Sequence, residues 1–119
     1  MHRLTLFSLA LAAMLASPAL GASFDGQFEG ASSIAGGTGE CWGNNPASAI
    51  VSGDMITIRT VEYDGTSEPI TAQLASDGSF RAAVPLKNGT AAFTGKVSAR
   101  RIVANWKGPT CYGTLDMTR

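Results

Sequence analysis

Few residues in this chain could do covalent or acid–base chemistry. Histidine occurs once, as His2, inside a segment that reads as a removable leader. Loss of that segment would leave no imidazole base, no Ser–His or Cys–His nucleophile and no histidine metal ligand. Cysteine occurs twice, as Cys41 and Cys111. Their spacing in a small exported chain fits a disulfide staple better than a reactive or metal-binding pair, and a staple would remove thiolate chemistry as well. Carboxylates are what remain. Glu62, Asp64 and Glu68 cluster in sequence, and glycoside hydrolysis needs two such groups roughly 5–10 Å apart, one of them with a raised pKa. These three flank a turn signal, Asp64-Gly65, where acids are ordinarily solvated. Gly36, Gly37 and Gly39 lack the spacing and following helix of a phosphate loop, and no calcium-loop pattern occurs. Asn88-Gly89-Thr90 matches a glycosylation acceptor but reads first as a hairpin turn. The chain is therefore expected to have no catalytic residue, no metal site and no cofactor.

The leader sets the chemical environment of everything after it. His2 and Arg3 precede an apolar run from Leu4 to Ala16, followed by Ser17, Pro18, Ala19, Leu20, Gly21 and Ala22. That is the charged head, apolar middle and small-residue exit of a secretory signal peptide. Cleavage after Ala19, Gly21 or Ala22 satisfies the small-residue rule, and Ala22 is the working boundary. The apolar run is shorter than the roughly 20 residues a membrane span needs, and no cysteine directly follows the exit to carry a lipid. The expectation is a signal peptide over 1–22 and one exported domain over 23–119, in the periplasm or the medium, without a membrane span.

Removing 1–22 from 119 residues leaves 97, enough for one domain with a thin core. A disulfide between Cys41 and Cys111 would restrict the unfolded chain by roughly 4 kcal/mol in the chain-entropy account. With Arg3 gone, eight Lys or Arg face nine Asp or Glu, a balance unlike that of nucleic-acid binders. The distribution is uneven. Between Ser23 and Glu68 lie seven of the acids and only Arg59 among the bases; the order reverses from Pro69 onward. Either the halves pair their charges across strands, or the surface is dipolar and steers a charged partner.

The elements that must position these residues are strands. Phe80, Ala82, Val84 and Leu86 alternate with Ser79, Arg81, Ala83 and Pro85; Ile102, Ala104 and Trp106 alternate with Arg101, Val103, Asn105 and Lys107; Cys111, Gly113, Leu115 and Met117 alternate with Tyr112, Thr114 and Asp116. Asp64-Gly65, Asp77-Gly78 and Asn88-Gly89 supply tight turns at regular spacing, with Ser52-Gly53-Asp54 and Lys107-Gly108-Pro109 as further breaks. Strands are predicted near 24–34, 48–52, 55–62, 69–75, 79–86, 90–98, 101–107 and 111–118. The span from Ala35 to Ala47 reads as one long irregular loop. The fold class is all-β: an antiparallel meander of seven or eight strands forming a closed barrel or a curved sandwich, closure being favoured because it removes unpaired edges.

Phe24-Asp25-Gly26-Gln27-Phe28 resembles the opening of small secreted calycin-type barrels, which include lipocalins and some bacterial protease inhibitors. Those usually carry tryptophan where this chain has Phe28. The resemblance implies a closed barrel and assigns no binding residue.

Trp42 beside Cys41 and Tyr112 beside Cys111 are the functional lead, because the staple would bring them together at one end of the fold. Trp42 could instead pack over the disulfide as a lid, and Trp106 shares its face with core residues. The expected function is an exported, non-catalytic β-domain that binds a protein partner, or a small ligand, through this aromatic end. A structural cell-envelope protein is the alternative, and a carboxylate-based hydrolase stands third.

Overall fold

The computed structural model describes residues 24–39, 41, 43–60, 69–86 and 88–119. The leader, Trp42 and the acidic cluster Glu62, Asp64 and Glu68 lie outside the described residues. The described residues form eight strands: β1 Gly26–Gly37, β2 Asn44–Ser52, β3 Met55–Thr60, β4 Pro69–Gln73, β5 Ser79–Leu86, β6 Gly89–Val97, β7 Arg101–Lys107 and β8 Cys111–Thr118. All pairings are antiparallel, in the order β4-β3-β2-β1-β8-β7-β6-β5. The sheet curls into a nearly closed barrel. The first and last strands pair along their length, from Glu29 opposite Thr118 to Gly37 opposite Cys111, so among the described residues the sheet is open in mid-chain, between β4 and β5.

The period-two alternation fills the inside. Phe28, Ile56, Ile58, Ile102, Leu115 and Met117 are fully enclosed, joined by Val51, Leu74, Phe80, Phe93 and Val97. Enclosing one such side chain stabilises the fold by roughly 1.5–3 kcal/mol in transfer free energy. The guanidinium of Arg119, the last residue, lies 5.5 Å from the centre of the Phe28 ring and donates to the carbonyl of Asp25. This cation–π contact covers one end of the barrel where the chain begins its first strand.

Three aromatic side chains lie across the neighbouring strand on a glycine. Phe80 sits opposite Gly95, Trp106 opposite Gly113 and Tyr112 opposite Gly36. A Cβ at these glycines would fall 2.8 Å from Phe80 Cζ, 2.7 Å from Trp106 Cζ2 and 2.6 Å from the Tyr112 hydroxyl. The missing side chain is the space the ring occupies, an arrangement known to pin register between strands. Trp106 also faces Phe93 across a pair without mutual backbone bonds, with ring centres 6.4 Å apart.

The turns follow their residues. Ala75 to Gly78 forms a turn in which Gly78 N–H donates to the Ala75 carbonyl and Ala75 N–H donates to that of Ser79. Gly78 has φ +88°, which makes this a type I turn with a glycine bulge rather than a two-residue primed turn. Asp77 accepts hydrogen bonds from the Ser79 hydroxyl and backbone N–H. These bonds, the hydroxyl first, hold its carboxyl below the ordinary value.

One expectation changes. The long loop is shorter than read: Ala35–Gly37 extends β1 and Asn44–Ala47 extends β2, leaving residues 38–43 between them. The small and polar residues there carry no clear alternation, yet they still form ladder bonds. Among the described residues the one ion pair, Arg101 with Asp116, joins β7 to β8 within the basic half.

Candidate functional site

The stapled end is built where β1 runs past β2 while β8 stays paired with both β1 and β7. β2 is paired with β1 as far as Asn44 opposite Ser33, and the Ile34 N–H adds a bond to the Gly43 carbonyl. Beyond that point β1 has β8 as its partner, and a bulge at Ala35 shifts the register: Ile34 faces Gly113 while Gly36 faces Tyr112. The extra residue reverses which side chains point outward on β1 and puts Gly36 beneath the Tyr112 ring.

Cys41 and Cys111 are joined in a disulfide with Cα atoms 5.4 Å apart. The Cys41 sulfur, with no proton to donate once oxidised, packs against the carbonyl oxygens of Thr38 at 3.1 Å and Thr110 at 3.2 Å. Thr38 N–H donates to the Thr110 carbonyl at 2.8 Å, so backbone and disulfide together clamp the tip of the ribbon. The staple agrees with folding in an oxidising compartment.

Tyr112 stands on this clamp. It is 50% exposed, with Lys107 opposite it on β7 and Gly36 under the ring. One ring face is held by the sheet and the rest is open. Of the expected pair, then, Tyr112 is placed at the surface of the stapled end, while Trp42 lies outside the described residues.

Inside the barrel near the same end, the wall is less filled. Ile34, Asn45, Thr60, Ala82, Val84 and Trp106 are half-buried here, and Ser32 is the buried polar side chain. The Trp106 Nε1–H is enclosed and has no acceptor among the described residues. Sequence reading missed this donor, because only its core neighbours were visible in the pattern.

Electrostatics distinguish the two sides. Asp116 accepts two bonds from the Arg101 guanidinium, one at 2.9 Å from Nε. That hydrogen bonding, with the adjacent positive charge, holds the Asp116 carboxyl below its usual range and raises Arg101 further. Among the described residues no group of three His, Cys, Asp or Glu is placed to hold a metal ion. Among the described residues, two clefts open on the outside are of note. One of about 440 Å³ spans Glu29, Pro46, Ser48 and Arg59; the other, of about 430 Å³, lies in the seam and was not foreseen from the sequence. Comparison with protein-family models, with curated proteins and with solved structures finds no match for this chain.

Proposed function

We propose that this chain is an exported, non-catalytic binding domain that engages a protein partner through its disulfide-stapled end. The observation that carries the reading is Tyr112, half exposed and laid across Gly36 on a ribbon clamped by Cys41–Cys111. A ring already fixed by its support loses little conformational freedom on binding, and tyrosine supplies large contact area with a polar tip. Lys107 beside it adds a charge able to pair at the rim. Trp42, adjacent in sequence to Cys41, is proposed as the second contact. Export rests on the leader pattern of residues 1–22 together with the oxidised cysteine pair.

Interior packing favours a protein over an enclosed small ligand. Phe28, Ile56, Ile58, Ile102, Leu115 and Met117 occupy the space where a barrel of this size would carry cargo. The proposal is tested by native mass spectrometry of the protein purified gently from its host. Expected are loss of the leader, the two-proton deficit of a disulfide, and an added mass of protein size. A Trp42→Ala/Tyr112→Ala variant should lose that addition while keeping its strand circular dichroism. A folded double variant that retains the partner sinks the proposal. An added mass of a few hundred daltons would make the chain a ligand carrier, and a bare monomer would favour a structural role in the envelope.

A further inference from the structure

The seam between β4 and β5 is held open in a way that the register explains. Leu74 N–H donates to the Asp54 carbonyl, its direct partner in the β3–β4 ladder. Backbone groups alternate sides along a strand, so Ala72 and Ile70 also bond to β3, and Pro69, Thr71 and Gln73 turn theirs toward the seam. On the other side, Val97 N–H donates to the Gly78 carbonyl. By the same alternation Phe80, Ala82 and Val84 bond to β6, and Arg81, Ala83 and Pro85 turn theirs toward the seam. Ala75 N–H to the Ser79 carbonyl is the first rung of a β4–β5 ladder. Continued in register, the next rungs would be Gln73 with Arg81, Thr71 with Ala83, and Pro69 with Pro85. None forms. The strands part instead, and the cleft between them is lined by Pro69, Ile70, Thr71, Ala83, Val84 and Pro85, which are the cross-seam partners at its open end.

We infer that Pro69 and Pro85 form a wedge that keeps the barrel from closing on itself. They would meet at one rung, where each should donate an N–H to the other's carbonyl. Neither has one, and each would aim its ring Cδ at the opposing oxygen. The rung loses both bonds and gains a steric conflict, and the short β4 has few others with which to compensate. The same residues guard both exposed edges against a strand from another molecule. The slot therefore persists as an opening in the side of the barrel with unpaired backbone groups on both walls.

Hydrogen exchange on the oxidised chain tests this. In the parent protein the amides of Thr71, Gln73, Arg81 and Ala83 should exchange quickly, while those of Ile70, Ala72, Ala82 and Val84 stay protected. Slow exchange of the first set would mean the seam is already paired, and the inference fails without any variant. In Pro69→Thr/Pro85→Val the same four amides should slow by roughly tenfold or more, independent of protein concentration. A folded double variant in which they exchange as before removes the prolines as the cause. Protection that appears only as concentration rises would show pairing between molecules and overturn self-closure.

Discussion

The three glycines beneath aromatic rings are where single atoms matter most. A methyl at Gly113 has no room: the Trp106 ring and the Ser33 backbone both occupy its position. Gly113→Ala should therefore destabilise the protein by roughly 1–3 kcal/mol, read as a lowered urea midpoint at constant slope. Combining it with Trp106→Leu tests the cause. If ring and glycine are coupled, the double variant loses less than the sum of the singles, by about 1 kcal/mol or more. Additive losses would assign the cost to the backbone of β1 instead. The exposed carboxylates Asp77 and Asp116 act through pH. Both sit below the ordinary value of 3.8 when folded, so each contributes stability in full above that pH and loses it as pH falls through the folded value. Asp77→Asn/Asp116→Asn should flatten the fall in stability below about pH 4, measured by urea midpoints across an acid series. An acid limb as steep as that of the parent would mean other carboxylates govern it.

The disulfide belongs to the scale of elements, because it ties a loop to a strand that the ladder already joins. Cys41→Ser/Cys111→Ser should keep the sheet but lose roughly 4 kcal/mol in denaturant unfolding. Exchange should rise first at Gly36, Gly37 and Tyr112, where β1 has left β2 and keeps β8 as its partner. A uniform loss of protection across all strands would show that the staple supports the whole barrel. Much of this level was legible in the sequence. β5, β7 and β8 match their expected bounds because apolar residues recur there at every second position, from Phe80 to Leu86, from Ile102 to Trp106 and at Leu115 and Met117. The ends of β1 and β2 were not legible, since Ala35, Gly36, Gly37, Asn44, Asn45 and Pro46 show no alternation. Pro46 even argues against a strand. It is tolerated because Ile34 N–H bonding to Gly43 turns the Pro46 nitrogen away from β1, where no ladder bond is asked of it. The platform under Tyr112 was hidden for a related reason: the Ala35 bulge decides which residue lies beneath the ring, and a bulge has no periodic signal. Tyr112 itself was found through its adjacency to Cys111. The seam was out of reach because curvature and register, which are properties of the assembled sheet, decide where the pairing stops.

At the scale of the molecule, chain order and spatial order disagree at one place. The sheet is continuous where its first and last strands meet, with Arg119 reaching Asp25, and broken where the chain runs on through the Ala75–Gly78 turn. To make this fold, the chain must bring its first and last strands together before the sheet can join, and that is the slowest kind of contact to find. A circular permutant linking Arg119 to Phe24 and opened at Ser76 would list its strands in their spatial order, β5 to β8 and then β1 to β4. Each pair of strands joined by a ladder would then be consecutive in the chain. Its refolding in stopped-flow fluorescence should be faster by roughly tenfold, and a rate equal to the parent's would place the folding barrier elsewhere. The unpaired seam thus marks the point at which this protein can be cut and re-sewn without breaking a ladder, and the pairing of its ends marks what its folding has to wait for.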